Sequence, residues 1–194
     1  QLGLGLASNR INLFPGYSPQ SFVDYQSALG HMTSHTWTLT TAYTHETRNS
    51  YWAATRGGLQ TLSVNVALPG STVQFWKAYY EGNHYWPIGK GFVLYLDGQL
   101  GYGATYGSQT YSRTFGPYVA GEKLELPFWE NYYSGGVKDV RGFQDNSLGP
   151  REQSAYYQYP HPIGGAFKVL GTAQVFIPLP FLEDAETARL WAFM

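Results

Sequence analysis

The stretch FVLYLDGQLGYG, from Phe92 to Gly103, constrains the fold of this chain more than any other feature. Successive side chains of an extended backbone point to opposite faces, so Phe92, Leu94, Leu96, Leu100 and Tyr102 share one side, while Tyr95, Asp97 and Gln99 share the other. One face is oily and the other is wet. The segment LQTLSVNVAL repeats this without a single charge, setting Leu62, Val64, Val66 and Leu68 against Thr61, Ser63 and Asn65. In AFKVLGTAQVFI, Phe167, Val169, Ala173, Val175 and Ile177 oppose Lys168, Thr172 and Gln174, with Leu170 the exception on the polar side. Weaker alternation in LGLGLASNRI, HTWTLTTAYTH, VQFWKAYYEGNHYW and TARLWAFM brings the expectation to about seven strands.

The connections suit antiparallel neighbours. PGST, between Leu68 and Val73, and PIGKG, from Pro87 to Gly91, carry tight-turn chemistry, whereas ETRNSYWAATRGG and PLPFLEDAE are longer. The stretch from Ala104 to Gly165 is far beyond the usual loop length, which predicts a functional or a disordered segment. Alternating strands of this length fit two architectures, a soluble sandwich whose inner faces make a core and a membrane barrel whose outer faces meet lipid. Three features favour the barrel. The polar faces carry uncharged Thr, Ser, Asn and Gln suited to a wet lumen; Tyr85, Trp86, Tyr102 and Tyr106 stand at strand ends, where aromatic girdles form; and ten of the 25 charged residues fall between Glu122 and Glu152.

Composition removes several function classes. Charged residues are only 13%, with 12 Lys plus Arg against 13 Asp plus Glu, so there is no basic face for nucleic acid. With no cysteine, disulfides, thiol catalysis and cysteine-based zinc sites are excluded. The opening QLGLGLASNRINLF lacks a basic start followed by an apolar run, and nowhere do 18 apolar residues run together, so a membrane would be met with strands. In HMTSH, Ser34 and His35 lie beside His31, but neighbours on a strand face opposite ways and cannot pair as nucleophile and base. His45, His84 and His161 lack zinc-ligand spacing, and GLGLAS and GYGATYG miss the phosphate-loop glycine pattern. No catalytic, cofactor or metal site is expected. Asp139 and Asp145 flank the loop tip as expected local partners of Lys138 and Arg141 rather than as calcium ligands.

The segment EKLELPFWENYYSGGVKDVRGFQDNSLGP, from Glu122 to Pro150, carries a specific resemblance. Pro127, Phe128, Trp129, Glu130, Asn131, Tyr132, Tyr133, Gly135 and Gly136, then Val140, Arg141, Gly142 and Phe143, then Asn146, Gly149 and Pro150, follow in order the sixth extracellular loop of the BamA family. These are the barrel subunits of the bacterial β-barrel assembly machinery. GGLQTLSVNVALPGS, VQFWKAYYEGNHYWPI and the strand ending FIPLPF extend the resemblance over about four fifths of the chain, while the first thirty residues resemble the family only weakly. Seven strands fall short of the about eight that close a membrane barrel, so residues 1–194 are expected to be a partial outer-membrane barrel, an internal piece beginning and ending within strands.

The resemblance implies an all-β, antiparallel transmembrane barrel in the cell outer membrane, with 104–165 as the large extracellular loop that folds back into the lumen. It implies a non-enzymatic insertase, with unfolded outer-membrane proteins as clients, the lipid bilayer as surroundings and assembly lipoproteins bound through parts outside this chain. Val140, Arg141, Gly142 and Phe143 would form an internal latch. Charge-assisted hydrogen bonds of roughly 1.5–3 kcal/mol each would hold the arginine, Gly142 would permit the turn, and Phe143 would wedge into an apolar gap. The family's twelfth-strand glutamate, the usual partner of the tip arginine, is replaced here by Gln174, which weakens the latch; Asp97 and Glu81 are the other candidate partners. Phe128, Trp129, Tyr132 and Tyr133 would pack the loop base. Alternatives are a two-partner secretion or translocation-and-assembly barrel of the same superfamily, a passive porin, or a soluble aromatic-rich binding module. Without the family motif, Arg141 would be an ordinary solvated charge.

Overall fold

A computed structural model describes residues 2–14, 16–30, 33–107, 110–113, 119–154, 156, 159–178 and 190–193. His31 and most of the PLPFLEDAE connection lie outside the described residues. In chain order the elements are β1 (Leu2–Arg10), α1 (Gln20–Leu29), β2 (Thr33–Glu46), β3 (Gly57–Ala67), β4 (Phe75–Gly89) and β5 (Phe92–Thr105). The long connection carries β6 (Thr110–Arg113), β7 (Val119–Lys123), a 3-10 turn (Phe128–Glu130), β8 (Arg151–Glu152) and β9 (His161–Pro162), after which β10 (Phe167–Ile177) and β11 (Leu190–Phe193) return to the sheet.

Seven strands form one sheet in the order β1-β2-β3-β4-β5-β10-β11, and β6-β7 and β8-β9 form two small ribbons. The seven are those that alternation predicts. The β1-β2 pairing is antiparallel, running from Leu2 opposite Thr41 to Arg10 opposite Thr33. Between β4 and β5 the turn is the two residues Lys90 and Gly91, both with positive φ (52° and 81°), the mirror-image turn whose twist matches that of the strands. The β3-β4 turn is tied to β2, because Ser71 Oγ accepts the Trp37 N–H at 2.9 Å and Leu68 N–H bonds to the Trp37 carbonyl at 2.6 Å.

The faces are inverted relative to a soluble sandwich. Leu2 and Leu4 are 77% and 80% exposed, and on β5 the oily face is open, with Leu100 at 49%, while the neighbouring Gln99 is 6% exposed. Leu62, Trp86, Ile88, Leu96, Phe167 and Val169 are likewise exposed. In water, each large apolar side chain left uncovered forgoes about 1.5–3 kcal/mol. A whole face of them is stable only against an apolar medium, as on a barrel wall. Ser34 is buried and His35 exposed, the opposite orientation that an extended segment dictates.

The chain divides into two compact units. The first comprises Gln1–Thr41, Val64–Ala78 and Gly101–Lys168, and it holds α1, the long loop and the strand ends next to them. Its core is Tyr25, Ala67, Val73, Phe75, Leu124 and Leu126, with Leu29, Phe128, Trp129 and Ala166 packed against it. Helix α1 was not expected from the sequence, whose weak first thirty residues offered only a strand. It ends on Gly30 in the left-handed conformation, whose N–H bonds the Gln26 and Ser27 carbonyls. The second unit comprises Ala42–Ser63, Tyr79–Leu100 and Val169–Met194. Within it, on the face opposite the exposed leucines, Tyr85, Tyr95 and Phe176 cluster with ring centroids 4.7–6.3 Å apart, Tyr85 parallel to Phe176 and Tyr95 tilted against both.

Candidate functional site

The long loop is fastened to the strands at several points, all in the first unit. Its base follows from local sequence. Pro127 is fully buried and starts the 3-10 turn, which presents Phe128 and Trp129 to α1. Phe128 stacks on Phe22 at 4.2 Å, and Tyr25 meets Phe128 and Trp129 edge-on at 5.9 and 5.8 Å. Aromatic pairs of this kind add about 0.5–1.5 kcal/mol each beyond the area they bury. The Tyr25 hydroxyl donates to the Glu125 carbonyl at 3.3 Å.

From the last residue of the turn onward, two ion pairs join loop to wall. Lys77, on the covered face of β4, places its ammonium 3.2 Å from a Glu130 oxygen and 4.6 Å from the centre of the Tyr132 ring. The Tyr132 hydroxyl donates to the Ala78 carbonyl at 3.1 Å, and its backbone exchanges hydrogen bonds with Gly165. Its ring lies against Gly101 of β5, where a Cβ would come within 2.9 Å of it. Glycine at this strand position is therefore what lets the ring lie flat on the wall. On β10, Lys168 is 2.6 Å from Asp139, and the two side chains are only 10% and 18% exposed. Asp139 thus pairs with a strand lysine rather than serving Lys138 or Arg141 alone, because the loop's path brings it to β10. Burial raises the pKa of the Tyr132 and Tyr133 hydroxyls above the usual phenol range, and Glu130 adds to the effect at Tyr132.

The tip is a compact turn. Ser134 and Leu148 bridge its two arms, Gly136 N–H bonds the Phe143 carbonyl at 3.1 Å, and Gly142 has φ 89°, a conformation that strains any side-chain-bearing residue. Arg141, Gly142 and Phe143 are exposed and Val140 is half-buried. The three residues named as candidate partners of Arg141 all belong to the second unit. Asp97 accepts a long hydrogen bond, 3.5 Å, from Tyr95; Glu81 is exposed; and Gln174 is half-buried on β10, opposite Phe193. Among the described residues no cluster of three or more potential metal ligands occurs.

Sequence reasoning missed Lys77, Lys168 and Gly101 as anchors. A signal was present for the lysines. Each is a cation within a strand, in the phase opposite the oily face, where only a partner or a wet lumen can accommodate it.

Residues 1–194 match the model of the Omp85 superfamily domain. The chain is 35% identical over 151 residues to the outer membrane protein assembly factor BamA of Neisseria meningitidis serogroup B, covering 77% of this chain and 17% of that protein. Its backbone resembles the crystal structure of BamA from Haemophilus ducreyi lacking POTRA domains 1-3, with a TM-score of 0.78 and 23% identity, over 99% of this chain and 37% of that one. The chain therefore spans about a sixth of the length of its meningococcal relative.

Proposed function

Because this chain belongs to the Omp85 superfamily, we propose that it forms part of the wall, and the lumen-folding loop, of an outer-membrane insertase barrel of the BamA kind. Its clients are outer-membrane β-barrel proteins, its surroundings are the lipid bilayer, and its companions are the assembly subunits that contact the rest of the protein. It works without bond-making chemistry: the barrel perturbs the bilayer and offers strand edges on which a client can pair. The wall must hold its shape while that happens.

The observation that carries this reading is the double fastening of the loop by Lys77–Glu130 and Lys168–Asp139. A loop held by partly buried ion pairs on two strands, β4 and β10, braces the wall between them, as an internal latch would. Arg141 supplies a further fastening at the tip, with acceptors among the polar groups of the full protein's inner wall.

The test uses the full-length parent reconstituted in liposomes with its companion subunits and an unfolded outer-membrane protein. The parent accelerates folding of the client, and Arg141→Ala lowers both that rate and the temperature at which the barrel loses its folded mobility on gels. A parent that gives no acceleration over empty liposomes refutes the insertase reading. An Arg141→Ala variant unchanged in both measures makes Arg141 an ordinary loop charge.

A further inference from the structure

Helix α1 begins without the devices that usually stabilise a helix start. Its N-cap is Pro19, which makes no side-chain cap, and its first turn contains no acidic residue. The first N–H groups of a helix need acceptors, and the positive end of its dipole favours an anion. Both come from a residue 131 positions away: the Glu152 carboxylate accepts the Ser21 N–H at 3.0 Å and also the Ser21 hydroxyl. Glu152 is 1% exposed and sits in the β8-β9 ribbon, on the outgoing arm of the long loop.

Each side of this pairing needs the other. A carboxylate removed from water costs several kcal/mol unless donors replace its hydration, and donors to it come from α1. The first turn of α1, in its own segment, has no acidic side chain to serve it. The same helix lays Phe22 and Tyr25 on Phe128, in the incoming arm of the loop. Helix α1 therefore touches both arms, one through aromatic packing and the other through a buried charge.

We propose that Ser21 and Glu152 form a clasp that makes the order of α1 and of both loop arms mutually conditional, so that the three open and close as one cooperative piece. The helix is then a cover ordered by the docked loop rather than by its own sequence. This does not depend on the insertase reading, since it concerns local opening and not client folding.

Hydrogen exchange of the purified full-length parent, folded in detergent, tests it. Glu152→Ala raises exchange of the α1 amides (20–29) and of the incoming arm (124–131) together, by roughly tenfold to a hundredfold, the loss expected for a charge-assisted pair. Glu152→Gln keeps one acceptor oxygen and gives a smaller rise in the same two segments. Ser21→Ala does likewise, and combined with Glu152→Ala it adds less than the product of the single effects. A rise confined to 150–162, with 20–29 and 124–131 as in the parent, overturns the clasp, as does full multiplicativity in the double variant. If Glu152→Ala prevents folding, Ser21→Ala against the parent carries the same comparison: joint loosening of both segments supports the clasp, and loosening of α1 alone overturns it.

Discussion

Lys77 shows how much can hang on one strand position. Its stem passes beside Gly103 of β5 while its ammonium serves the Glu130 carboxylate and the face of the Tyr132 ring, two acceptors of different kinds. With side chains 16% and 31% exposed, the pair lies between a surface bridge, worth at most about 1 kcal/mol, and a buried one, whose breakage costs about 3–5 kcal/mol. A double-mutant cycle of Lys77→Ala and Glu130→Gln in the full-length parent should therefore give a coupling of about 1–2 kcal/mol, read from denaturant unfolding of the barrel. A coupling of zero would mean that this pair adds nothing to the hold of the loop, leaving it to the aromatics, Lys168–Asp139 and the Tyr132 hydrogen bonds. The strand lysine was legible as an oddity in the sequence; its partner was not, because Glu130 lies 53 residues on and nothing local singles it out.

At the scale of elements, hairpins were the most legible and α1 the least. The two-residue turn between β4 and β5 forces positive φ on Lys90 and Gly91, which glycine adopts without strain and lysine does not. Lys90→Gly should leave the barrel stability within about 1 kcal/mol of the parent or raise it, whereas Gly91→Val should cost about 1–2 kcal/mol and slow refolding, as followed by the gel shift of the folded form. Equal effects of the two substitutions would mean that the turn relaxes to another type. Helix α1 escaped the reading for a physical reason. Its start carries no cap or acidic first turn of its own, and its stability comes from Phe128, Trp129 and Glu152, which only the folded loop supplies.

For the whole molecule, the decisive property is which face of the sheet meets which solvent. Leu100 is half exposed on the oily face while Thr172 of β10 is half-buried on the polar one, so a charge at the first should be expelled by lipid and one at the second should not. Leu100→Arg is expected to destabilise the full-length barrel in a bilayer by about 2–4 kcal/mol if the position lies near the midplane, and Thr172→Arg, on the wet face, by less. Folding yield in liposomes across a urea series measures both, and the reverse ranking would exchange the two faces. By itself the sequence determined the seven strands, the phases of β3, β5 and β10 and the unusual loop, because side-chain alternation is set by backbone geometry within a few residues and glycine at positive φ leaves a local mark. Tertiary structure alone decided who pairs with whom: Lys77 with Glu130, Lys168 with Asp139, and Ser21 with Glu152. Rival ion pairs differ by little in energy, about 1 kcal/mol or less at a surface, so the choice among them falls to strand register and the path of the loop, which place one carboxylate within reach and leave the others outside it.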